Sequence, residues 1–138
     1  MRCAARRERV FGLVADATSW PNWAGPLVAS ASWEHEGLPA PGGVGAIRKL
    51  GRWPMFGREQ VVAFEPPSHH GYVTLSGNPV RNYRADVVLT PDADGTLIRW
   101  SATFDPLIPG TGRFFEWTYR RLIGAFARGL ATYAEHVS

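Results

Sequence analysis

The chain has 138 residues, 45% of them apolar and 20% charged, the makeup of one ordinary globular domain with a sizeable core. Collagenous, low-complexity and disordered classes are excluded, and six Trp, seven Phe and four Tyr are many aromatics for this size. Fourteen Arg and one Lys are scattered and nearly balanced by twelve acids, giving a net charge of +3; no clustered basic footprint marks a nucleic-acid partner.

At the N-terminus, Arg2, Arg6, Arg7 and Arg9 precede the apolar stretch Val10 to Ala15 and imitate a secretion signal. That stretch is shorter than the roughly 7–15 residues of an h-region and Asp16 ends it, so it reads as part of a mature cytoplasmic protein. The lone Cys3 has no internal disulfide partner, in keeping with a reducing compartment. No segment approaches the apolar run of about 20 residues that spans a membrane, so no stable membrane insertion is expected.

Glu8 to Ala15 is predicted to be a short amphipathic helix burying Val10, Phe11 and Val14. Asp16 to Ala24 is a second short helix, with Ser19 as cap, Trp20 as first residue and Pro21 tolerated in the first turn. Leu27 to Glu36 alternates as a strand, with Leu27, Ala29, Ala31 and Trp33 on one face. Gly37 to Gly43 is a loop. Strands follow at Val44 to Leu50 and Phe56 to Phe64, joined around Trp53-Pro54 and stopped by Glu65-Pro66-Pro67. Tyr72 to Ser76 is a strand ending at Gly77-Asn78-Pro79. Val80 to Thr90 and Thr96 to Asp105 alternate on either side of the turn Asp92-Ala93-Asp94-Gly95, where Gly95 is expected to supply a positive φ.

From Phe114 to Val137 there is no proline. Phe115, Tyr119, Leu122, Phe126, Leu130, Tyr133 and Val137 share one helical face, opposite Arg120, Arg121, Arg128 and Glu135. An apolar stripe of that length must be buried, and the upstream strands are the only surface large enough to receive it. A curved antiparallel sheet closed over one long helix encloses a hollow, which points to ligand binding.

The order of elements, with Asp16-x3-Trp20-Pro21-x-Trp23, Gly43-Val44-Gly45-Ala46-Ile47-Arg48, Glu59-x-Val61 before Glu65-Pro66-Pro67, Pro79-Val80-x2-Tyr83, Leu89-Thr90-Pro91 and Gly95-Thr96-x3-Trp100, resembles the SRPBCC helix-grip superfamily of START and birch-pollen-allergen-like domains. Within it the chain looks most like the polyketide cyclase/dehydrase-like branch. The resemblance implies an α+β helix-grip fold, a curved antiparallel sheet of six or seven strands gripping a helix from Gly112 to Val137, in a single ligand-binding domain over residues 1–138. The superfamily usually opens with a full strand. Here Met1 to Ala5 leave room for only a stub, so the first strand is expected to be truncated and the sheet edge to be open to pairing with a second copy.

Chemistry-bearing residues are few. A hairpin centred on Trp53-Pro54 sets Arg48 directly opposite Glu59, with Ala46 facing Val61 and Leu50 facing Gly57; these apolar companions assign the pair to the inner face. A buried Arg–Glu pair is costly, which hints at use, and an exposed cross-strand salt bridge is the alternative. Tyr72 and Tyr83 are expected to point phenols into the hollow, or to be core tyrosines satisfied by backbone. Trp23, Trp33, Trp100, Phe104, Phe115 and Tyr119 complete the expected lining, with plain core packing as the alternative for each. His69 and His70 read as an exposed loop pair, no spacing matches a metal site, and no cofactor is expected.

Two functions remain open. One is non-catalytic binding of a small hydrophobic or amphipathic molecule, lipid- or polyketide-like. The other, which the resemblance allows, is a polyketide cyclase, aromatase or dehydratase in which Glu59 accepts a proton and Arg48 or Tyr83 steadies an enolate oxygen.

Overall fold

The alternating segments pair into one antiparallel sheet of seven strands in the computed structural model, which describes residues 1–77 and 79–136. The strands are β1 (Arg2–Cys3), β2 (Ser30–His35), β3 (Ile47–Arg52), β4 (Met55–Glu65), β5 (His69–Ser76), β6 (Val80–Asp92) and β7 (Gly95–Pro106). They lie in the order β1-β7-β6-β5-β4-β3-β2, so each of β2 to β7 pairs with its neighbour in sequence, and β1 closes onto β7. Helix α1 (Arg7–Ala15), a 3-10 helix (Ala17–Asn22) and helix α2 (Gly112–His136) supply the rest of the helix-grip fold. Two sequence expectations, the helix end at Val137 and the turn residue Asn78, lie outside the described residues. Among those described, no helix is long and apolar enough to cross a membrane.

Several local expectations are corrected. The 3-10 helix is capped by Asp16, whose carboxylate accepts from the Thr18 amide at 3.0 Å; Ser19 lies inside it and donates its hydroxyl to the Leu13 carbonyl at 2.7 Å. β2 begins at Ser30, so Leu27 sits in the preceding turn, 61% exposed. β5 begins three residues before Tyr72, which takes both histidines out of a loop: His70 is fully buried, and His69 bridges Glu65 at 3.0 Å and Asp86 at 2.7 Å on the outer face. In the β6–β7 turn the left-handed residue is Ala93, with φ of 54°. Gly95 is needed for a different reason, since a Cβ there would meet the Cys3 carbonyl of β1.

The packing of α2 explains why sheet and helix part company at one end. Its buried residues, Ala127, Leu130, Ala131 and Ala134, all lie in the C-terminal half and are mostly small. There the helix sits close: Arg9 Nε donates to the Ala134 carbonyl at 2.8 Å, and Gly129 passes hard against the Trp23 carbonyl. From the N-terminus to the middle of the helix the inward positions carry Phe115, Tyr119, Leu122 and Phe126, bulky side chains that stay only partly buried. Small residues at one end and large ones at the other wedge the helix off the sheet, and close packing forbids filling the gap without moving one of them.

Substituting Gly129→Ala should therefore destabilise the protein by about 1–3 kcal/mol, although alanine is normally the better helix former by about 1 kcal/mol. Gly124→Ala, where the added Cβ meets only the mobile end of Arg128, should be neutral or stabilising. Urea unfolding of the two variants checks the contrast.

Candidate functional site

The hairpin register is the one the sequence implies: Arg48 pairs with Glu59, and Leu50 with Gly57. Arg48 Nε donates to Glu59 Oε1 at 3.1 Å, and Nη1 donates to the Val14 carbonyl at 3.2 Å. That carbonyl belongs to the last turn of α1, where a cation complements the helix dipole, and it also accepts from Trp20 Nε1 at 3.0 Å. The guanidinium carbon lies in the corner between two aromatic rings, 4.5 Å from the centroid of Trp20 and 4.6 Å from that of Tyr72. Such contacts are worth up to about 2 kcal/mol each when desolvated. The Arg48 side chain is 0% exposed and that of Glu59 18% exposed.

Glu59 thus faces forward while Arg48 is sealed behind it. In front is a hollow of about 710 Å3 between the sheet and the N-terminal half of α2. Glu59, Tyr72, Thr74 and Tyr83, from β4, β5 and β6, place polar groups on its sheet side; Trp20, Leu50, Leu122 and Phe126 supply much of the apolar wall. Its mouth lies by the β3–β4 turn, where Trp53 is 81% and Met55 78% exposed.

Burial pushes the Glu59 carboxyl above its ordinary pKa, and Arg48 only partly opposes this. Burial likewise raises the Tyr72 phenol well above its usual value and raises that of Tyr83; the Glu59 charge is the next contributor at both. Both phenols therefore remain hydrogen-bond donors across the physiological range. His70 sits behind this wall among Phe11, Phe64 and Tyr72, and burial followed by the Arg48 charge keeps it neutral.

Of the residues expected at the site, Glu59, Tyr72, Tyr83 and Tyr119 line this hollow. Arg48 does not reach it. Trp100 and Phe104, with Tyr119 again, line a second cleft of about 680 Å3 between α2 and β7. Trp23 is packed on Trp20 with ring centroids 4.6 Å apart, and Phe115 rests on Phe114 at 5.2 Å. Trp33 lies opposite Arg48 on β2, but the curved sheet carries it toward the loop at Gly42, where an added Cβ would come within 3.0 Å of its ring. Sequence reasoning does not assign Trp20 to the lining; it places that residue at a helix start and in the motif that carries the family resemblance. Leu122 and Phe126 were on the buried stripe without being assigned to the site.

The model of the family described as "Polyketide cyclase / dehydrase and lipid transport" matches residues 2–135. The chain belongs to this family. No curated protein matches it. Among solved structures, a START superfamily protein from Mycobacterium smegmatis superposes with a TM-score of 0.84 at 14% identity, covering 100% of this chain and 95% of that one. Ara h 8.0201 gives 0.75 at 15% identity, covering 97% and 92%. The Aha1 dimer from Colwellia psychrerythraea gives 0.72 at 13% identity, covering 99% and 92%. At these identities the likeness is one of fold.

The buried pair makes a stability prediction. Arg48→Ala removes the cation, strands the Glu59 carboxyl and opens the corner between Trp20 and Tyr72, at an expected cost of about 3–5 kcal/mol. Arg48→Met combined with Glu59→Gln should recover most of that loss, because no uncompensated charge remains. Chemical denaturation of the two variants is the check.

Proposed function

We propose that this protein binds a small hydrophobic or amphipathic molecule, of lipid- or polyketide-like character, in the hollow between the sheet and α2. The observation that carries the reading is the hollow itself: about 710 Å3, largely apolar, with one carboxyl and two of its three phenols gathered on the sheet side. Binding pockets are built this way, with apolar walls giving affinity and a few fixed polar groups giving orientation. The family description, which includes lipid transport, supports the same reading.

One feature favours a second reading, an enzyme of the cyclase or dehydratase type. Glu59 has a raised pKa, opens on the hollow and stands beside two phenols. Its carboxylate could take a proton from carbon next to a ligand carbonyl, while Tyr72 or Tyr83 donates a hydrogen bond to the enolate oxygen that develops. Arg48, unable to touch a ligand, would act only by holding Glu59.

Native mass spectrometry of protein purified from its own host tests the binding reading through a retained small molecule. Glu59→Gln keeps an oxygen that can accept from Arg48 but leaves that cation unbalanced, so it should fold with reduced stability. It should lose most of that ligand if the carboxyl orients it, or bind it without converting it if the protein is an enzyme. Wild-type protein that retains nothing and gains no mass when offered lipid and polyketide extracts would count against both.

A further inference from the structure

The structure carries a statement about ligand charge, and it rests on the binding reading above. We propose that the hollow selects uncharged, oxygen-bearing aromatic or polycyclic molecules and discriminates against ligands bearing a carboxylate, sulfonate or phosphate on the part that enters.

The argument begins with Arg48, the cation nearest the polar wall. Recognition of an anionic group needs a cation with donors free to face it. Two of the three Arg48 nitrogens are engaged behind the wall, Nε by Glu59 and Nη1 by the Val14 carbonyl; Nη2 is buried with no partner among the described residues, and Arg48 is not among the residues that line the hollow. Trp20 and Tyr72 hold the guanidinium in its corner. What the wall presents instead is an acid, Glu59, flanked by the Tyr72 and Tyr83 hydroxyls and Thr74. An incoming anion meets a like charge at close range and in poor hydration, where repulsion is strongest. A ketone, ether or hydroxyl meets phenolic donors and a carboxylate acceptor.

Arg52 is the other cation bordering the hollow. It stands at the lip, with Nε donating to the Pro26 carbonyl at 2.8 Å in an exposed position. An anion held there stays outside and leaves the polar wall to a neutral guest. The carboxyl, Thr74 and the Tyr72 and Tyr83 phenols lie on the sheet side, and Leu122, Phe126 and Tyr119 on the helix side, which is the more apolar of the two. A flat molecule with oxygens along one edge satisfies both. A fatty acid anchored at Arg52 with its tail inward would instead lay apolar chain against the Glu59 carboxyl and the phenols, displacing any water from them without replacing its hydrogen bonds.

Two fluorescent probes on one scaffold isolate the charge: neutral N-phenyl-1-naphthylamine and its sulfonated counterpart 8-anilino-1-naphthalenesulfonate. At pH 8 the neutral probe should bind the wild-type protein, and the sulfonate should displace it only at concentrations about tenfold higher or more, a gap of 1.4 kcal/mol. In Glu59→Gln the same ratio should shrink by about threefold or more, because the repelling charge is gone and Arg48 stays unbalanced behind the wall. Equal or better displacement by the sulfonate overturns the proposal, as does a ratio unchanged in Glu59→Gln. Failure of the neutral probe to bind also overturns it. A retained natural ligand with its carboxylate or phosphate inside the hollow would refute this inference while leaving the binding reading intact, whereas absence of both retained ligand and probe binding removes the two together.

Discussion

Everything near the hollow depends on one buried cation. Arg48 leaves β3, pairs with Glu59 on β4, lies against Tyr72 of β5 and Trp20 of the 3-10 helix, and ends on the last-turn carbonyl of α1. Five elements therefore share one guanidinium. A lysine could supply the charge but not the planar face for two rings or the forked donors for a carboxylate and a carbonyl. Burying that charge costs several kcal/mol before any partner is counted, and the partners here offset it by pairing, hydrogen bonding and aromatic contact at once.

The consequence for function is asymmetry. Because the guanidinium is sealed behind the sheet wall, Glu59 is the member of the pair that meets the hollow, and its carboxyl is held in place from the rear. The wedge between α2 and the sheet creates the space, and the pair decides which chemistry faces it. These two features come from different parts of the chain, the size gradient along α2 and the β3–β4 hairpin. Either can be altered without the other: Gly129 controls how closely the helix descends, and Arg48 controls the polar wall.

Much of this was legible in the sequence, for identifiable reasons. A tight turn at Trp53-Pro54 fixes register by counting outward, so the Arg48–Glu59 pairing followed without any structure. The 3.6-residue stripe from Phe115 to Tyr133 locates the inward side of α2 only in part: Leu130 is buried and the rest of the stripe half-buried, while the closest packing falls on Ala127, Ala131 and Ala134 beside it. What local pattern does not contain is where a curved sheet carries a residue. Trp33 is on the same face as Arg48, yet the sheet's far edge takes it away from the hollow. Trp100 and Phe104 face inward but on the β7 side of the helix. The sealing of Arg48 depends on Trp20 and Val14, about thirty residues upstream, and no short-range signal links them. His70 looked like loop because Pro66-Pro67 precedes it, whereas pairing with β4 and β6 draws the strand back to His69.

The central claim is that Glu59 faces a poorly hydrated hollow while a sealed arginine holds it from behind. A carbon-13 NMR titration of the Glu59 side-chain carboxyl in the unliganded protein tests it most directly. Burial outweighing the Arg48 charge predicts a midpoint above the ordinary glutamate value of about 4.3, with the Arg48 Nε resonance shifting in the same transition. A midpoint at or below that value would mean that the carboxyl is well solvated or fully captured by Arg48, and would contradict the account.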